Sequence, residues 1–173
     1  VTKPNRPSGR EKLLHPTPVK ESALAGKLNV LGPIDFKAEG FYMDLKNLNP
    51  DLFVVISFGK LLPEKMLELP EFGAINIHAS LLPAYRGASP INWAIINGDK
   101  ETGVTSFFME EGLDAGPIIS QRSCPIGPGE DSGTLEDKLR TLAVEVLAET
   151  LNKVKEGKAG IRQDDRKATF ATK

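Results

Sequence analysis

Apolar residues along this chain form several short, unbroken runs and one long stripe with helical spacing. The runs Leu52–Phe58 and Ala74–His78 are rich in β-branched and aromatic residues, which is typical of strands buried on both faces. Val104–Met109 and Ile118–Ser123 predict two further strands. From Thr134 onward, apolar residues recur three and four positions apart, which predicts a long helix beginning at that residue. Strands that alternate with helices predict an α/β domain with a mostly parallel sheet.

The first 18 residues differ from the rest of the chain. They contain four of its 13 prolines and therefore predict an irregular loop. Within residues 1–20, five basic side chains accompany the single acid Glu11, which gives this stretch a net charge of +4 and leaves −5 for the remaining residues. The composition fits two interpretations equally: a loop that meets an anionic partner, or a solvated surface loop.

The overall composition restricts the class of protein. The 173 residues, 26% charged and 40% hydrophobic, have an ordinary globular composition and a length that fits one domain. The net charge of −1 argues against a generally basic nucleic-acid binder but allows a local basic patch. The single cysteine, Cys124, excludes an intramolecular disulfide and a multi-cysteine zinc site within this sequence. No apolar run reaches the roughly 20 residues that span a bilayer.

Candidate chemistry begins at the end of the Ala74–His78 run. Asn76 and His78 are two positions apart, so their side chains point to the same side of an extended chain. Ligands of open α/β sheets bind beyond the carboxyl ends of strands, where an amide and an imidazole can converge on one carbonyl oxygen. The alternative is a packed core histidine beside a turn-forming asparagine, and the N-x-H pattern alone does not separate the two. Asp114, between Gly112 and Gly116, fits either a turn or a catalytic carboxylate.

Several other chemistries lack their sequence motifs. The chain contains neither of the glycine-rich phosphate cradles, so a dinucleotide or P-loop site is unsupported. It has no G-x-S-x-G motif, which makes Ser80 a poor candidate for a nucleophile. His15 and His78 are the only histidines and do not form a metal-binding cluster in the sequence, so no metal is expected.

Four short segments together resemble the signature of the folate-dependent formyltransferases. They are Asn76–His78, Ser80–Pro83, Arg86–Gly87 and Gly112–Gly116, in that order. Within this family, the pattern R-P-x-G-R…P-x-P-V-K of residues 6–20 resembles the branch that acts on initiator tRNA, although Glu11 stands where the family loop often has glycine. The family's chains begin with a strand, a helix and a second strand, and end with a tRNA-binding β-barrel. Residues 1–173 are therefore expected to be a partial formyltransferase catalytic domain, without the first strand and helix and without that β-barrel.

The resemblance implies a Rossmann-like formyltransferase fold and an enzyme of translation initiation. Its expected reaction transfers the formyl group of 10-formyltetrahydrofolate to the α-amino group of methionine on initiator tRNA, without a metal. Asn76 and His78 are implied to donate hydrogen bonds to the formyl oxygen, and Asp114 is implied to accept the proton of the amine. The implied folate-binding residues are Ser80, Leu81, Leu82, Pro83, Phe58 and Gly59, and the implied tRNA-binding residues are Arg6, Arg10 and Lys12.

Two groups of alternatives stay open at this point. The same site residues fit glycinamide ribonucleotide formyltransferase or a formyltetrahydrofolate hydrolase. A non-catalytic fragment that binds only folate or tRNA is the alternative from another class. The expected location is the bacterial cytoplasm, with an organellar origin as the alternative, and the expected state is a monomer that does not bind membranes.

Overall fold

The computed structural model describes residues 1–8, 13–59 and 61–173. The chain divides into two compact units, Val1–Leu48 and Asn49–Lys173. None of the helices in the described ranges is long and apolar enough to cross a membrane.

The first unit contains two short strands and two helices. Strands β1 (Arg6–Ser8) and β2 (Leu13–His15) pair in an antiparallel arrangement, so the prediction of a wholly irregular loop was wrong for these residues. The prolines of this region are compatible with the pairing because a two-stranded sheet consists only of edge strands. Helix α1 (Pro18–Ala25) is followed by α2 (Glu39–Asn47), which buries Phe41 and Leu45.

The second unit is built on a four-stranded sheet. Its strands are β3 (Phe53–Ile56), β4 (Ala74–His78), β6 (Glu101–Phe108) and β7 (Ile118–Pro125), arranged in that spatial order. A second pair joins β5 (Arg86–Gly87) to β8 (Phe170–Ala171) in parallel. The helices are α3 (Glu64–Leu67), α4 (Pro90–Ile96) and α5 (Ser132–Lys155), followed by a 3₁₀ turn at Asp165–Lys167.

The predicted α/β class is confirmed, and the strand directions refine it. The β3–β4 pair is parallel, with α3 in the connection between the two strands. The β4–β6 and β6–β7 pairs are antiparallel. The segment 109–117 between β6 and β7 contains no helix, and parallel neighbours need a long crossover connection. The expected mostly parallel arrangement is therefore confined to one of the three pairings in the described sheet.

Helix α5 packs on one face of this sheet and forms the core with it. Ile77 and Val104 of the sheet pack with Leu135, Leu139 and Val146 of the helix. The helix starts earlier than the predicted Thr134, because its N-cap is Asp131. The Asp131 carboxylate accepts the backbone N–H of Thr134 at 2.8 Å, and the Thr134 hydroxyl accepts the backbone N–H of Asp131 in return.

Strand β3 departs from the prediction of burial on both faces. It lies at the edge of the described sheet, and its residues alternate between half-buried and exposed. Val54 and Ile56 are 41% and 52% exposed. The continuous apolar run therefore marks the strand correctly but not the burial of its second face.

Candidate active site

Strand β4 places Asn76 and His78 on the face of the sheet opposite α5. Ile75 and Ile77 lie in the clusters that contain α5 residues. Because side chains alternate across a strand, Asn76 and His78 point to the other face. The sequence AINIH thus has an apolar half that anchors the strand and a polar half that faces away from the helix.

Both ring nitrogens of His78 face an acceptor. The Nε2 atom lies 2.8 Å from the carbonyl oxygen of Tyr85, which can only accept, so Nε2 carries a hydrogen. The Nδ1 atom lies 3.6 Å from Oδ2 of Asp114. An imidazolium form of His78 would direct its second N–H toward this carboxylate. Since the His78 side chain is only 7% exposed, the ring is fixed between the two oxygens.

Asp114 is held against His78 by a backbone donor. The N–H of Gly87 donates to Oδ2 of Asp114 at 2.8 Å. Gly87 has φ +114°, and a Cβ there would lie 2.7 Å from the Ala171 carbonyl oxygen, so only glycine fits this position. Residues 109–117 connect β6 to β7 and form the Asp114 loop. In this loop, a Cβ on Gly116 would overlap the carbonyl oxygen of Phe108. These two glycines let the carboxylate approach the end of β4 closely.

Asn76 has an available side-chain amide. It is half-buried and makes no side-chain hydrogen bond to the described residues. It lies two residues before His78 on the same face of β4, a separation of about 7 Å along a strand. The structure therefore brings His78 and Asp114 into contact and places Asn76 beside them as a donor without a partner among the described side chains.

The segment Ser80–Pro83 follows β4 and is tied to the sheet. Ser80 is buried, and its hydroxyl donates to the carbonyl oxygen of Ala84 at 2.6 Å. The backbone N–H of Leu82 donates to the Thr105 hydroxyl at 3.1 Å, and the Leu82 side chain is buried. Leu81 and Pro83 are half-buried. Leu81 and Pro83 thus have the more accessible side chains of this predicted folate-binding segment.

The other predicted folate-binding residues lie beyond the end of the neighbouring strand. Phe58 is half-buried, and Gly59 is exposed with φ +66°. Because β3 and β4 run parallel, with Ile56 opposite Ile77, the segments that follow them leave from the same edge of the sheet. This is the edge where open α/β sheets bind ligands.

The predicted tRNA-binding residues are only partly covered. The backbone of Arg6 belongs to β1, whereas Arg10 and Lys12 lie outside the described residues. Their role stays a prediction from the sequence.

The described residues contain no group of three or more histidine, cysteine, aspartate or glutamate side chains that could hold a metal ion.

Several residues around the site had no signal in the sequence patterns. Tyr85 supplies the carbonyl that binds His78, and its own hydroxyl donates to Asp99 at 2.6 Å. Burial, followed by this bond to Asp99, raises the pKa of Tyr85. Gln163 binds the main chain of the Asp114 loop, and Arg86 binds Gln163. Arg86 was visible only as part of a motif, and a lone glutamine in a polar tail follows no recognisable pattern.

Comparison with known proteins decides the family. A family model described as formyl transferase matches residues 1–151. The chain belongs to the formyl transferase family. The chain is 52% identical over 173 residues to a methionyl-tRNA formyltransferase from Caldanaerobacter subterraneus subsp. tengcongensis, covering 99% of this chain and 56% of the relative. It is 50% identical over 158 residues to a methionyl-tRNA formyltransferase from Pelobacter propionicus, covering 91% and 50%.

Solved structures of formyltransferases share the fold of this chain. A phosphoribosylglycinamide formyltransferase from Bacillus halodurans superposes with a TM-score of 0.71 at 29% identity, covering 79% of this chain and 74% of that one. The predicted Rossmann-like formyltransferase fold is therefore confirmed. The chain spans about half the length of the curated relatives it matches.

Proposed function

We propose that this chain carries the catalytic side chains of a methionyl-tRNA formyltransferase. The reaction would move the formyl group of 10-formyltetrahydrofolate to the α-amino group of methionine on initiator tRNA, in the bacterial cytoplasm, with the protein acting as a monomer. The observation that carries this proposal is the 3.6 Å pair of His78 and Asp114 at the end of β4, with Asn76 on the same strand face. The sequence identity of 52% and 50% to two methionyl-tRNA formyltransferases supports methionyl-tRNA as the acceptor.

The formyl donor fits the chemistry of this strand end. The half-buried Asn76 amide lacks a side-chain partner among the described residues and can donate to a carbonyl oxygen. Gly59 is exposed beyond the end of the parallel neighbouring strand, at the same edge of the sheet. We infer that Phe58, Gly59 and residues 80–83 contact the folate, with Ser80 and Leu82 supporting the segment through their buried side chains.

The proposed chemistry balances without a metal. The amine nitrogen forms a bond to the formyl carbon, the bond from that carbon to N10 of the folate breaks, one proton leaves the amine and one is gained by N10. As the nitrogen attacks, negative charge develops on the formyl oxygen, where the Asn76 N–H would stabilise it. An imidazolium form of His78 would add a second donor from Nδ1, because Nε2 is bound to the Tyr85 carbonyl. Asp114 would accept the proton of the amine, directly or through water. One preorganised donor of this kind is worth about 10²–10³ in rate.

The acceptor of the formyl group can be tested in one experiment. The complete protein would be assayed with 10-formyltetrahydrofolate and either initiator methionyl-tRNA or glycinamide ribonucleotide as acceptor. A control without acceptor would measure hydrolysis of the donor. We expect formylation of methionyl-tRNA at a kcat/KM at least about 100-fold above that for glycinamide ribonucleotide. Preferred transfer to glycinamide ribonucleotide, or hydrolysis alone, would replace the proposal by the corresponding alternative.

A second function is favoured less by the comparisons. The solved structures include a phosphoribosylglycinamide formyltransferase at 29% identity, well below the 52% identity to a methionyl-tRNA formyltransferase. The positively charged stretch of residues 1–20 also suits a nucleic-acid acceptor. We expect Arg6, Arg10 and Lys12 to contact the phosphates or the acceptor end of the tRNA.

A further inference from the structure

The C-terminal segment 161–172 is bonded along its length to the candidate active site. The backbone of Arg86 donates to the Thr169 carbonyl at 2.8 Å, and the backbone of Ala88 donates to the Ala171 carbonyl at 2.9 Å. Ile161 and Ile118 exchange two backbone hydrogen bonds of 2.7 and 2.8 Å. The family match ends at residue 151, so this segment lies beyond the part of the chain that the family model recognises.

Within this segment, Gln163 connects two parts of the site. Its Nε2 group donates to the carbonyl oxygens of Asp114 and Gly116 at 2.9 and 2.8 Å. Its Oε1 accepts from Nε and from a terminal nitrogen of Arg86 at 3.1 and 2.8 Å. Only this orientation of the amide satisfies all four contacts, because carbonyls accept and a guanidinium donates.

Arg86 is the fixed end of this connection. It is 5% exposed, and its guanidinium also pairs with Asp165 at 2.8 Å. The Asp165 side chain is 81% exposed, so solvent screens this pair. The two bonds to the half-buried Gln163 are therefore the better protected contacts of the guanidinium.

The backbone conformation of Asp114 requires support from its surroundings, such as the hydrogen bonds from Gln163. Asp114 has φ +50°, a conformation that an L-residue keeps only when its surroundings determine it. Its carboxylate has the Gly87 N–H as hydrogen-bond donor, and its backbone carbonyl has Gln163. We propose that Gln163 is a positioning residue, which holds the Asp114 loop through its two N–H donors so that the carboxylate stays against His78 and Gly87. The inference rests on the proposed function for the importance of Asp114, but its geometric part can be measured without substrates.

The substitution Gln163→Glu isolates the donor role. It keeps the size of the side chain and an oxygen for Arg86, while it replaces the N–H donors by an oxygen that faces two carbonyls. If Gln163 only satisfies Arg86, the substitution is neutral or stabilising. If Gln163 positions the loop, the loop loosens although the protein stays folded. Arg166→Ala is the matched control, because Arg166 lies in the same segment, is exposed and contacts Asp164 but neither Arg86 nor the loop.

The Gly87 amide reports the position of the Asp114 carboxylate. Arg86-Gly87 is the one Arg-Gly pair in this sequence, so combined carbonyl labelling of arginine and amide labelling of glycine selects its NMR signal here. In the complete protein, Gln163→Glu should speed hydrogen exchange of this amide at least about tenfold, the value expected for loss of a hydrogen bond to a charged group. The formyl-transfer kcat should fall at least about tenfold, with the KM for the folate within about threefold.

The outcomes separate this inference from the proposed function. A folded Gln163→Glu protein whose Gly87 exchange and kcat stay within about twofold of the parent overturns the positioning role. Should Gln163→Glu unfold, Gln163→Asn, which keeps the amide on a shorter arm, is expected to give the same two changes, and its failure to do so overturns the role as well. Absence of formyl transfer in the parent protein would refute the proposed function. Hydrogen exchange of the Gly87 amide alone would then test whether Gln163 positions the Asp114 loop.

Discussion

Replacing Asp114 by asparagine removes one negative charge 3.6 Å from Nδ1 of His78 and leaves the size of the side chain unchanged. The asparagine oxygen can still accept the Gly87 N–H, which Asp114 accepts at 2.8 Å. The substitution therefore tests the charge and the proton-accepting ability of the carboxylate rather than the shape of the loop.

The expected magnitude follows from the separation of the two groups. At about 4 Å and an effective dielectric constant near 20, the Asp114 carboxylate and an imidazolium form of His78 would interact by roughly 4 kcal/mol. The His78 and Asp114 side chains are 7% and 14% exposed, so the pair is largely shielded from solvent. Loss of even about 2.7 kcal/mol of transition-state stabilisation slows turnover about 100-fold. We therefore expect Asp114→Asn to lower kcat at least about 100-fold.

The assay is single-turnover formylation of initiator methionyl-tRNA by the complete protein, with tRNA affinity measured separately. We expect tRNA affinity to change less than about threefold, since the substitution alters the reacting centre rather than the positively charged residues 1–20. Glu111→Gln is the control, because it removes the same charge from an exposed position in the same loop. A rate for Asp114→Asn within tenfold of the parent would refute the role of the carboxylate in the reaction.

Three further predictions concern tRNA binding by Arg10, the packing of the core and the pH dependence of stability. Arg10→Ala should weaken tRNA binding and reduce the salt slope by about one unit, and an unchanged slope in titrations at several salt concentrations would argue against this contact. Leu135→Ala should lower the free energy of unfolding by about 2–5 kcal/mol in urea denaturation, because Leu135 is fully buried; a loss below about 1 kcal/mol would contradict its place in the core. The hydrogen bond from Lys153 lowers the pKa of Glu149, so the stabilisation that Glu149 provides relative to Gln is present above the ordinary glutamate pKa and is lost as the pH falls through the folded-state pKa. The difference in unfolding midpoint between Glu149→Gln and the parent should therefore be larger at pH 7 than at pH 3, and an equal difference would contradict this linkage.

Periodicity predicted the elements whose burial is regular. The run Ala74–His78 matches β4, and the stripe after Thr134 matches α5, because each element has a face that packs in the core. Helix α2 was missed because it is short and buries only Phe41 and Leu45, which gives too few positions for a helical pattern. The strand pair β1–β2 was missed because its prolines favour irregular structure, while edge strands tolerate them.

The candidate site was predictable where its residues form a motif. Asn76 and His78 are related by strand alternation, and Asp114 was singled out by its flanking glycines together with the family resemblance. Gln163 reaches the Asp114 loop only because the C-terminal segment folds back on β5. Contacts between residues far apart in sequence leave no local pattern, so Gln163 could be found only in the structure.

The most direct test of the account is a crystal structure of the complete protein with a formyl-folate analogue that has carbon in place of N10, so that its formyl group cannot transfer. We expect the formyl oxygen within about 3.2 Å of the Asn76 amide nitrogen, with the formyl carbon on the side of His78 and Asp114. A formyl group bound more than about 5 Å from Asn76, with His78 and Asp114 facing elsewhere, would show that these three side chains do not act on one formyl group.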